Sequence, residues 1–111
     1  MPSRTPTFDA KIIELTAGNI RNDHIYLREA LHLVPADSIG GTNKDAPGEP
    51  VSVTFIPGDT VQTDIDSDKK FLRCRGPVRD FFERSGAQPG DEAIFIRRGE
   101  REFEVRLLKK L

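Results

Sequence analysis

The sequence is poor in several residue types, and each shortage excludes a class of protein. It contains one cysteine, so no disulfide can form within the chain. Two histidines and that cysteine do not provide the four closely spaced ligands of a structural zinc site. No run of about 18 apolar residues could span a membrane, and the amino terminus lacks the apolar core of a signal peptide. We therefore expect a reduced, cytoplasmic protein that does not associate with membranes.

Signatures of catalysis are also missing. No Gly-rich phosphate loop follows a strand, and no serine or cysteine nucleophile has a visible base partner. Cys74 lies in an apolar context that favours a small buried residue. We therefore expect no cofactor and no catalytic site within the chain.

The chain has almost no net charge, which gives meaning to any local excess. Its 17 basic and 18 acidic residues leave a formal charge of −1. Proteins that coat nucleic acid without regard to sequence usually have a high isoelectric point, so that class is disfavoured. A module that reads one site remains compatible, because its basic contacts can be few and local. Residues 64–82 do hold such a local excess, formed by five basic side chains: Lys69, Lys70, Arg73, Arg75 and Arg79.

Alternating apolar residues predict short strands in a single domain of 111 residues. After an extended lead-in, residues 1–7, the domain occupies residues 8–111. Its first strand runs from Phe8 to Leu15, and a change of phase at Ile13 predicts a β-bulge. Five further stretches show strand-like patterns, several of them closed by Pro-Gly-Asp or Gly-Glu turns. These are residues 51–56, 60–65, 70–75, 92–98 and 102–109.

Two other stretches have apolar residues at helical spacing. Residues 25–34, which end before Pro35, and residues 78–85, which end before Gly86, are predicted as short helices. Residues 17–24 and 36–50 are rich in Gly, Asn and Asp and are predicted as polar loops. The whole pattern predicts a mainly β fold, an open pseudobarrel of about seven strands with the two helices at its ends.

The order of these elements resembles a known family. A first strand ending in Leu15-Thr16 is followed by a polar arm, the entry HIYL, a segment ending in LVP, the strand VSVTF, the helix VRDFFER and the run PGDEAIFIRR. Over residues 8–109 this resembles a B-three-type DNA-binding pseudobarrel. That family includes plant transcription-factor domains and the recognition, or effector, domains of bacterial EcoRII-like and BfiI-like restriction endonucleases. The plant pattern commonly carries tryptophans that this chain lacks, so the resemblance is closer to the bacterial branch.

The resemblance implies a wrench-like grip on double-stranded DNA. Two arms would enter the major groove, the first arm being residues 17–24 and the second arm residues 64–70. A loop near residues 40–44 would contact the DNA backbone. In this interpretation the chain is the recognition part of a restriction endonuclease, it binds a short specific site, and any nuclease domain lies outside these residues.

The side chains of both arms suit base reading. The major groove distinguishes the four base pairs by their donors and acceptors, and Arg, Asn and Asp match guanine, adenine and cytosine respectively. The candidate base-reading residues are Asn19, Arg21, Asn22, Asp23, His24, Asp64, Asp66, Ser67, Asp68 and Lys69. Without the resemblance, a solvated turn with Asx capping would explain the first arm, and a hairpin tip kept soluble by its charge would explain the second arm.

Other basic and polar side chains suit phosphate contacts. Arg73 and Arg75 alternate on a predicted strand, so they would point the same way, and Arg79 lies one helical turn beyond. The candidate backbone-binding residues are Asn43, Lys44, Lys70, Arg73, Arg75 and Arg79. Arg73 could instead pair with Asp80 or Glu83, a contact of little energetic weight if it is exposed.

The sequence is also compatible with three functions besides DNA recognition. The first is a Mg²⁺-dependent nuclease. The carboxylates and lysine of such a site are superficially matched by Asp59, Asp68 and Lys70. Asp59 belongs to a Pro-Gly-Asp turn, however, and the surrounding pattern lacks a helix-backed sheet. The second is a barrel that binds a ligand other than DNA, and the third is a protein-interaction module.

Overall fold

The computed structural model of the chain describes residues 9–41 and 47–110. The fold is mainly β, with one mixed sheet of five strands and a second, parallel sheet of two strands. The strands are β1 (Asp9–Glu14), β2 (Ile39–Gly40), β3 (Val51–Ile56), β4 (Thr60–Thr63), β5 (Ile65–Asp66), β6 (Glu92–Gly99) and β7 (Glu102–Leu108). The α-helices are α1 (Ala17–Asn22) and α2 (Arg75–Ser85), and single 3₁₀ turns occupy Leu31–Leu33 and Ala36–Ser38.

The larger sheet has the strand order β1-β6-β7-β3-β4, and its two hairpins match the sequence-based expectation. β3 and β4 pair antiparallel around the Pro57 turn, and β6 and β7 pair antiparallel around Glu100. β3 runs parallel to β7, which joins the two hairpins into one sheet. The smaller sheet pairs Ile39 and Gly40 of β2 with Ile65 and Asp66 of β5.

One face of the large sheet packs on α2 to form the core. The strand alternation turns Phe55 of β3 and Phe95 and Phe103 of the last hairpin inward, and Phe95 and Phe103 stack with ring centroids 4.9 Å apart. Phe81 of α2 packs on Phe55 at a centroid distance of 5.7 Å. Each buried aromatic ring contributes on the order of 2 kcal/mol relative to an exposed one. This packing fixes the position of α2, whose first turn reaches the candidate site.

The second predicted helix is confirmed, although it begins earlier than expected. Pro77 lies in its first turn, where a missing N–H costs no hydrogen bond. Gly86 ends the helix in the left-handed conformation at φ 69°, and its N–H donates to the carbonyl of Glu83. The three residues before the predicted start, Arg75 to Pro77, are also helical.

Several expectations from the sequence are wrong. β1 pairs with β6 in an unbroken register, so the phase change at Ile13 is not a bulge. Residues 25–34 contain a β-bridge at Tyr26 and the 3₁₀ turn but no α-helix. Residues 70–75 contribute only isolated bridges at Phe71 and Leu72 instead of a strand. The strands are divided between two sheets, and within the described residues the large sheet ends at β1 and β4 without closing into a barrel.

Candidate nucleic-acid interface

The first arm is an ordered helix rather than the predicted polar loop. The hydroxyl of Thr16 accepts the N–H of Asn19, and the side chain of Asn19 accepts the N–H of Thr16 in return, at 3.1 and 3.0 Å. This reciprocal cap starts α1. Asp23 then ends the helix in the left-handed conformation at φ 59°, which directs the chain back toward the core at Ile25. The helix therefore holds Arg21 and Asn22 at the surface, where both are exposed.

The second arm is a tight turn held by one of its own carboxylates. Asp66 Oδ1 accepts the N–H groups of Asp68 and Lys69, each at 2.9 Å. The N–H of Lys69, then that of Asp68 and the charge of Arg73, keep the pKa of Asp66 below its usual value. Lys70 lies at φ 63°, and its ammonium donates to the carbonyl of Ser67 at 3.0 Å. Asp68 and Lys69 are left exposed at the tip.

Backbone hydrogen bonds join the two segments that follow the arms. The N–H of Leu27 donates to the carbonyl of Lys70 at 2.7 Å, and the N–H of Leu72 donates to the carbonyl of Ile25 at 3.1 Å. The rings on this ladder also pack together, since His24 stacks on Phe71 with centroids 4.1 Å apart. The segments that follow each arm are therefore fixed to one another, and the arms share one side of the molecule.

The start of α2 supports the first arm with two arginines. Arg75 donates to the carbonyl of Asn22 through Nε and Nη2, at 3.2 and 3.1 Å. Arg79 pairs with the buried carboxylate of Asp23 at 3.0 Å while its own side chain stays 62% exposed. Cationic charge thus collects beside the arms.

Burial lowers the pKa of His24, and the charges of Arg75 and Lys69 lower it further, so this imidazole is neutral at pH 7.

An ion pair between Arg73, which is part-buried, and Asp64, which is buried, anchors the second arm. Arg73 donates to both oxygens of Asp64, at 2.8 and 3.1 Å, and to the carbonyl of Gly41 at 2.6 Å. Asp64 also accepts the N–H of Gly48 at 2.7 Å. Gly41 lies just before residues 42–46 and Gly48 lies shortly after them, so this pair joins both sides of that segment to Asp64, the residue that precedes β5. Neither Asp80 nor Glu83 is the partner of Arg73; Asp66 is its second one, at 3.7 Å.

The candidate base-reading residues therefore fall into two groups. Five have side chains engaged within the protein: Asn19, Asp23, His24, Asp64 and Asp66. Four expose their side chains at the arm surfaces without a hydrogen bond or ion pair to another described residue: Arg21, Asn22, Asp68 and Lys69. Ser67 is half-buried. The roles of all these residues in DNA binding stay predictions.

The candidate phosphate-binding residues are also divided. Arg75 and Arg79 lie beside the first arm and are exposed, and Lys70 folds back over the second arm. Arg73 is only 19% exposed and holds Asp64, so its position differs from that of the other three cations. Arg73 and Arg75 do not alternate on a strand, because Arg75 already belongs to α2. Asn43 and Lys44 lie outside the described residues.

The sequence interpretation missed the aromatic support beneath the arms. Tyr26 and Phe71 form the bridge between the two segments, and Arg28 lies over the Tyr26 ring with its guanidinium carbon 4.3 Å from the centroid. Alternation of His24, Tyr26 and Phe71 with buried Ile25 and Leu72 was the available signal. It was obscured by the helical spacing of Leu27, Ala30, Leu31 and Val34.

The described residues also show how the acidic side chains are distributed and how long and apolar the helices are. No three His, Cys, Asp or Glu side chains in residues 9–41 and 47–110 are grouped so that they could hold a metal ion. Asp59 lies in the exposed turn between β3 and β4, and Asp68 lies in the second arm. In the same part of the chain, no helix has the length and apolarity needed to cross a membrane.

Comparison with known proteins gives a likeness of fold. No family model and no curated protein matches this sequence. Among solved structures, the chain is similar to the N-terminal domain of Helicobacter pylori LlaJI.R1, with a TM-score of 0.60 and 8% sequence identity. The superposition covers 90% of this chain and 87% of that domain. At this identity the likeness shows that the two domains share a fold, and nothing narrower.

Proposed function

We propose that this chain recognises a short specific site on double-stranded DNA with the surface formed by its two arms. The observation that carries the proposal is the backbone ladder between residues 25–27 and 70–72. This ladder holds together the ends of the two segments that the family resemblance assigns to the major groove. The fold shared with the N-terminal domain of LlaJI.R1 supports the same interpretation.

The exposed side chains of the arms match the chemistry of base reading. Arg21 and Lys69 offer donors suited to guanine, Asn22 suits adenine, and Asp68 can accept from the cytosine amino group. A carboxylate at the tip disfavours indiscriminate backbone binding, because it repels phosphates. Arg75 and Arg79 then supply the positive charge beside the groove. We assign the reading role to the exposed residues and a supporting role to Asp64, Asp66 and Arg73.

The larger setting of this activity is part of the proposal. We assign the chain to the recognition part of a restriction endonuclease, built as an open pseudobarrel and without a catalytic site of its own. A nuclease domain would then be its partner. The family resemblance in the sequence supports this setting, and the division of residues between an arm surface and a supporting layer is compatible with it.

Selection from a random duplex library tests the proposal. We expect recovery of a short shared motif and a mobility shift on that motif. Arg21→Ala and Lys69→Ala should weaken the shift at least about tenfold or change the motif selected, since each removes a base contact. Arg84→Ala and Lys110→Ala are matched controls, because they remove exposed cations outside the arms and should leave the motif unchanged. Failure to retain any duplex at low salt would contradict the proposal.

A nuclease function is tested in the same reactions. Addition of Mg²⁺ should leave the selected duplex intact if the chain only recognises DNA. Cleavage that is lost in Asp59→Asn and Asp68→Asn variants would instead establish the metal-dependent nuclease.

A further inference from the structure

The outer face of the large sheet carries an apolar patch that reaches an edge strand. Ile12 of β1 is 50% exposed, more than Leu108, the other large hydrophobic side chain that is exposed among the described residues. Its neighbours in the register are Ile94, directly opposite on β6, and the pair of Ala10 with Ile96. A shallow depression of about 260 Å³ lies beside Ile12 and is lined by Ala10, Ile94, Ile96 and Arg98. Because β1 ends the sheet, the patch continues to its open side.

Within the described residues, no strand or backbone hydrogen bond pairs with β1 along that open side. The N–H of Leu15 donates to the carbonyl of Asp91 at 2.9 Å, so Leu15 directs its backbone groups toward β6. Directions alternate along a strand, and the register of β1 is regular. The backbone N–H and C=O groups that point away from β6 therefore belong to Ala10, Ile12 and Glu14. In residues 9–41 and 47–110, no strand pairs with β1 on that side.

We propose that a second copy of this chain covers the edge, with the two β1 strands antiparallel about a two-fold axis at Ile12. Opposite residues of an antiparallel pair have their side chains on the same face of the sheet. Even-numbered residues of β1 therefore lie opposite even-numbered residues of the second copy, and odd-numbered residues lie opposite odd-numbered ones. Centring on Ile12 places it opposite Ile12 of the second copy and Ala10 opposite Glu14. This uses all the free backbone groups and forms about six hydrogen bonds.

Neighbouring registers are less favourable. Centring on Lys11 would place two like charges directly opposite one another, which destabilises a strand pair. Centring on either Lys11 or Ile13 would also leave one of the three residues whose backbone groups point away from β6 without a partner. Either register would form only about four hydrogen bonds. The Ile12 register also joins the two apolar patches across the axis.

The cleft beside the edge adds charge complementarity. It has a volume of about 380 Å³ and is lined by Ile12, Ile13, Tyr26, Arg28 and three carboxylates, those of Glu14, Glu29 and Glu92. Arg28 is held over the Tyr26 ring. In the proposed register Lys11 of the second copy lies opposite Ile13, at the mouth of this acidic cleft. The two-fold axis makes the same contact twice.

Sedimentation of the whole chain over a range of concentrations tests the dimer. We expect a reversible monomer–dimer equilibrium that Ile12→Lys and Ala10→Pro each weaken at least about tenfold, by placing charge on the axis or removing a free edge N–H. Leu108→Lys is the matched control, because Leu108 is exposed on the same face but lies on the interior strand β7. Circular dichroism should show that all three variants fold. A monomer at every concentration, or a dimer unaffected by both edge variants, would overturn the proposal.

Disulfide trapping tests the register. In a Cys74→Ser background, Ile12→Cys should cross-link most rapidly, because Cα atoms about 5.5 Å apart in a hydrogen-bonded pair can accept a disulfide. Lys11→Cys and Ile13→Cys variants report the two neighbouring registers. Faster cross-linking at either of these positions would refute the pairing at Ile12.

Discussion

At the scale of single residues, the three aspartates of the second arm do different work. Asp64 is bound by Arg73 and Gly48, and Asp66 is bound by the N–H groups of the turn. Asp68 alone projects from the tip. A carboxylate that already accepts several hydrogen bonds has few lone pairs left for a cytosine amino group. The geometry therefore favours Asp68 as the acidic reader and the other two as supports.

The Asp64–Arg73 pair should be important for stability. Asp64→Ala would leave the guanidinium of Arg73 mostly buried beside the weaker partner Asp66, at 3.7 Å. Breaking a pair of this kind typically costs about 3 kcal/mol, so we expect a loss of that order in the free energy of unfolding measured with urea. Asp80→Ala is the control. It breaks an exposed pair with Arg84, and its effect should stay below about 0.5 kcal/mol. Equal effects of the two variants would contradict this account.

Asp91 should dominate the acid side of the stability profile. Lys109, at 2.7 Å, with the N–H groups of Lys110 and Gln88, lowers the pKa of Asp91 from 3.8 to about 2. A carboxyl whose pKa is lower in the folded state stabilises the fold above the unfolded-state pKa, and this contribution is lost as the pH falls from about 4 through 2. Urea unfolding at a series of pH values should show that loss. In Asp91→Asn the slope in this window should be shallower; an unchanged slope would argue against it.

At the scale of elements, tight backbone approaches hold the smaller sheet in place. A Cβ on Gly40 of β2 would overlap with the backbone nitrogen of Gly48 and come within 2.5 Å of Asp64 Oδ2. Gly40→Ala would therefore have to separate β2 from the segment that begins at Pro47. We expect a loss of at least about 2 kcal/mol in unfolding free energy, in the range of overpacked sites.

Gly76 provides the matched substitution. It is the second residue of α2, and a Cβ there would meet nothing within 4 Å. Gly76→Ala should raise the unfolding free energy by about 0.5 kcal/mol or more, because alanine loses less backbone entropy in a helix. The two alanine variants should thus shift the urea midpoint in opposite directions. A midpoint that Gly40→Ala leaves unchanged or raises would show that the packing at Gly40 is not limiting.

Elements set by local pattern were predictable, and those set by distant partners were not. The β3–β4 and β6–β7 hairpins follow from alternation and turn residues, and α2 follows from helical spacing and Gly86. The segment around Leu27 and Val34 has helical spacing too, but its backbone pairs with Lys70 and Leu72 far along the chain. That tertiary ladder overrides local preference. α1 was missed although Thr16 and Asn19 carry the signal of a reciprocal cap.

At the scale of the whole molecule, the sequence predicts two arms whose role in DNA binding stays a prediction, but it does not predict which of their side chains are engaged within the protein. The resemblance placed them at residues 17–24 and 64–70, and the fold brings the segments following both arms together. Which side chains are free depends on pairs such as Arg73 with Asp64 and Arg79 with Asp23, nine and 56 positions apart. No local pattern encodes such pairs. They decide which cations remain available to a ligand.

Because the net charge of the chain is close to zero, we can predict how its affinity for DNA depends on salt concentration. Binding to duplex DNA should depend on the few cations beside the arms, so the slope of log affinity against log salt should be modest, about −0.9 for each phosphate contacted. Arg75→Ala should lower affinity for all sequences alike and make the slope shallower by about one, because Arg75 is exposed at the start of α2 and suited to phosphate. Arg21→Ala should instead change the relative affinities of different sites.

Titration of fluorescent duplexes at several salt concentrations separates these effects. Arg84→Ala serves as the control, since it removes an exposed arginine from the end of α2 opposite to Arg75 and should leave both slope and preference unchanged. Because Arg75 also holds the carbonyl of Asn22, a small change in preference is compatible with a phosphate role. A loss of preference in Arg75→Ala without any change in slope would instead make Arg75 a reader and move the phosphate contacts to Arg79 and Lys70.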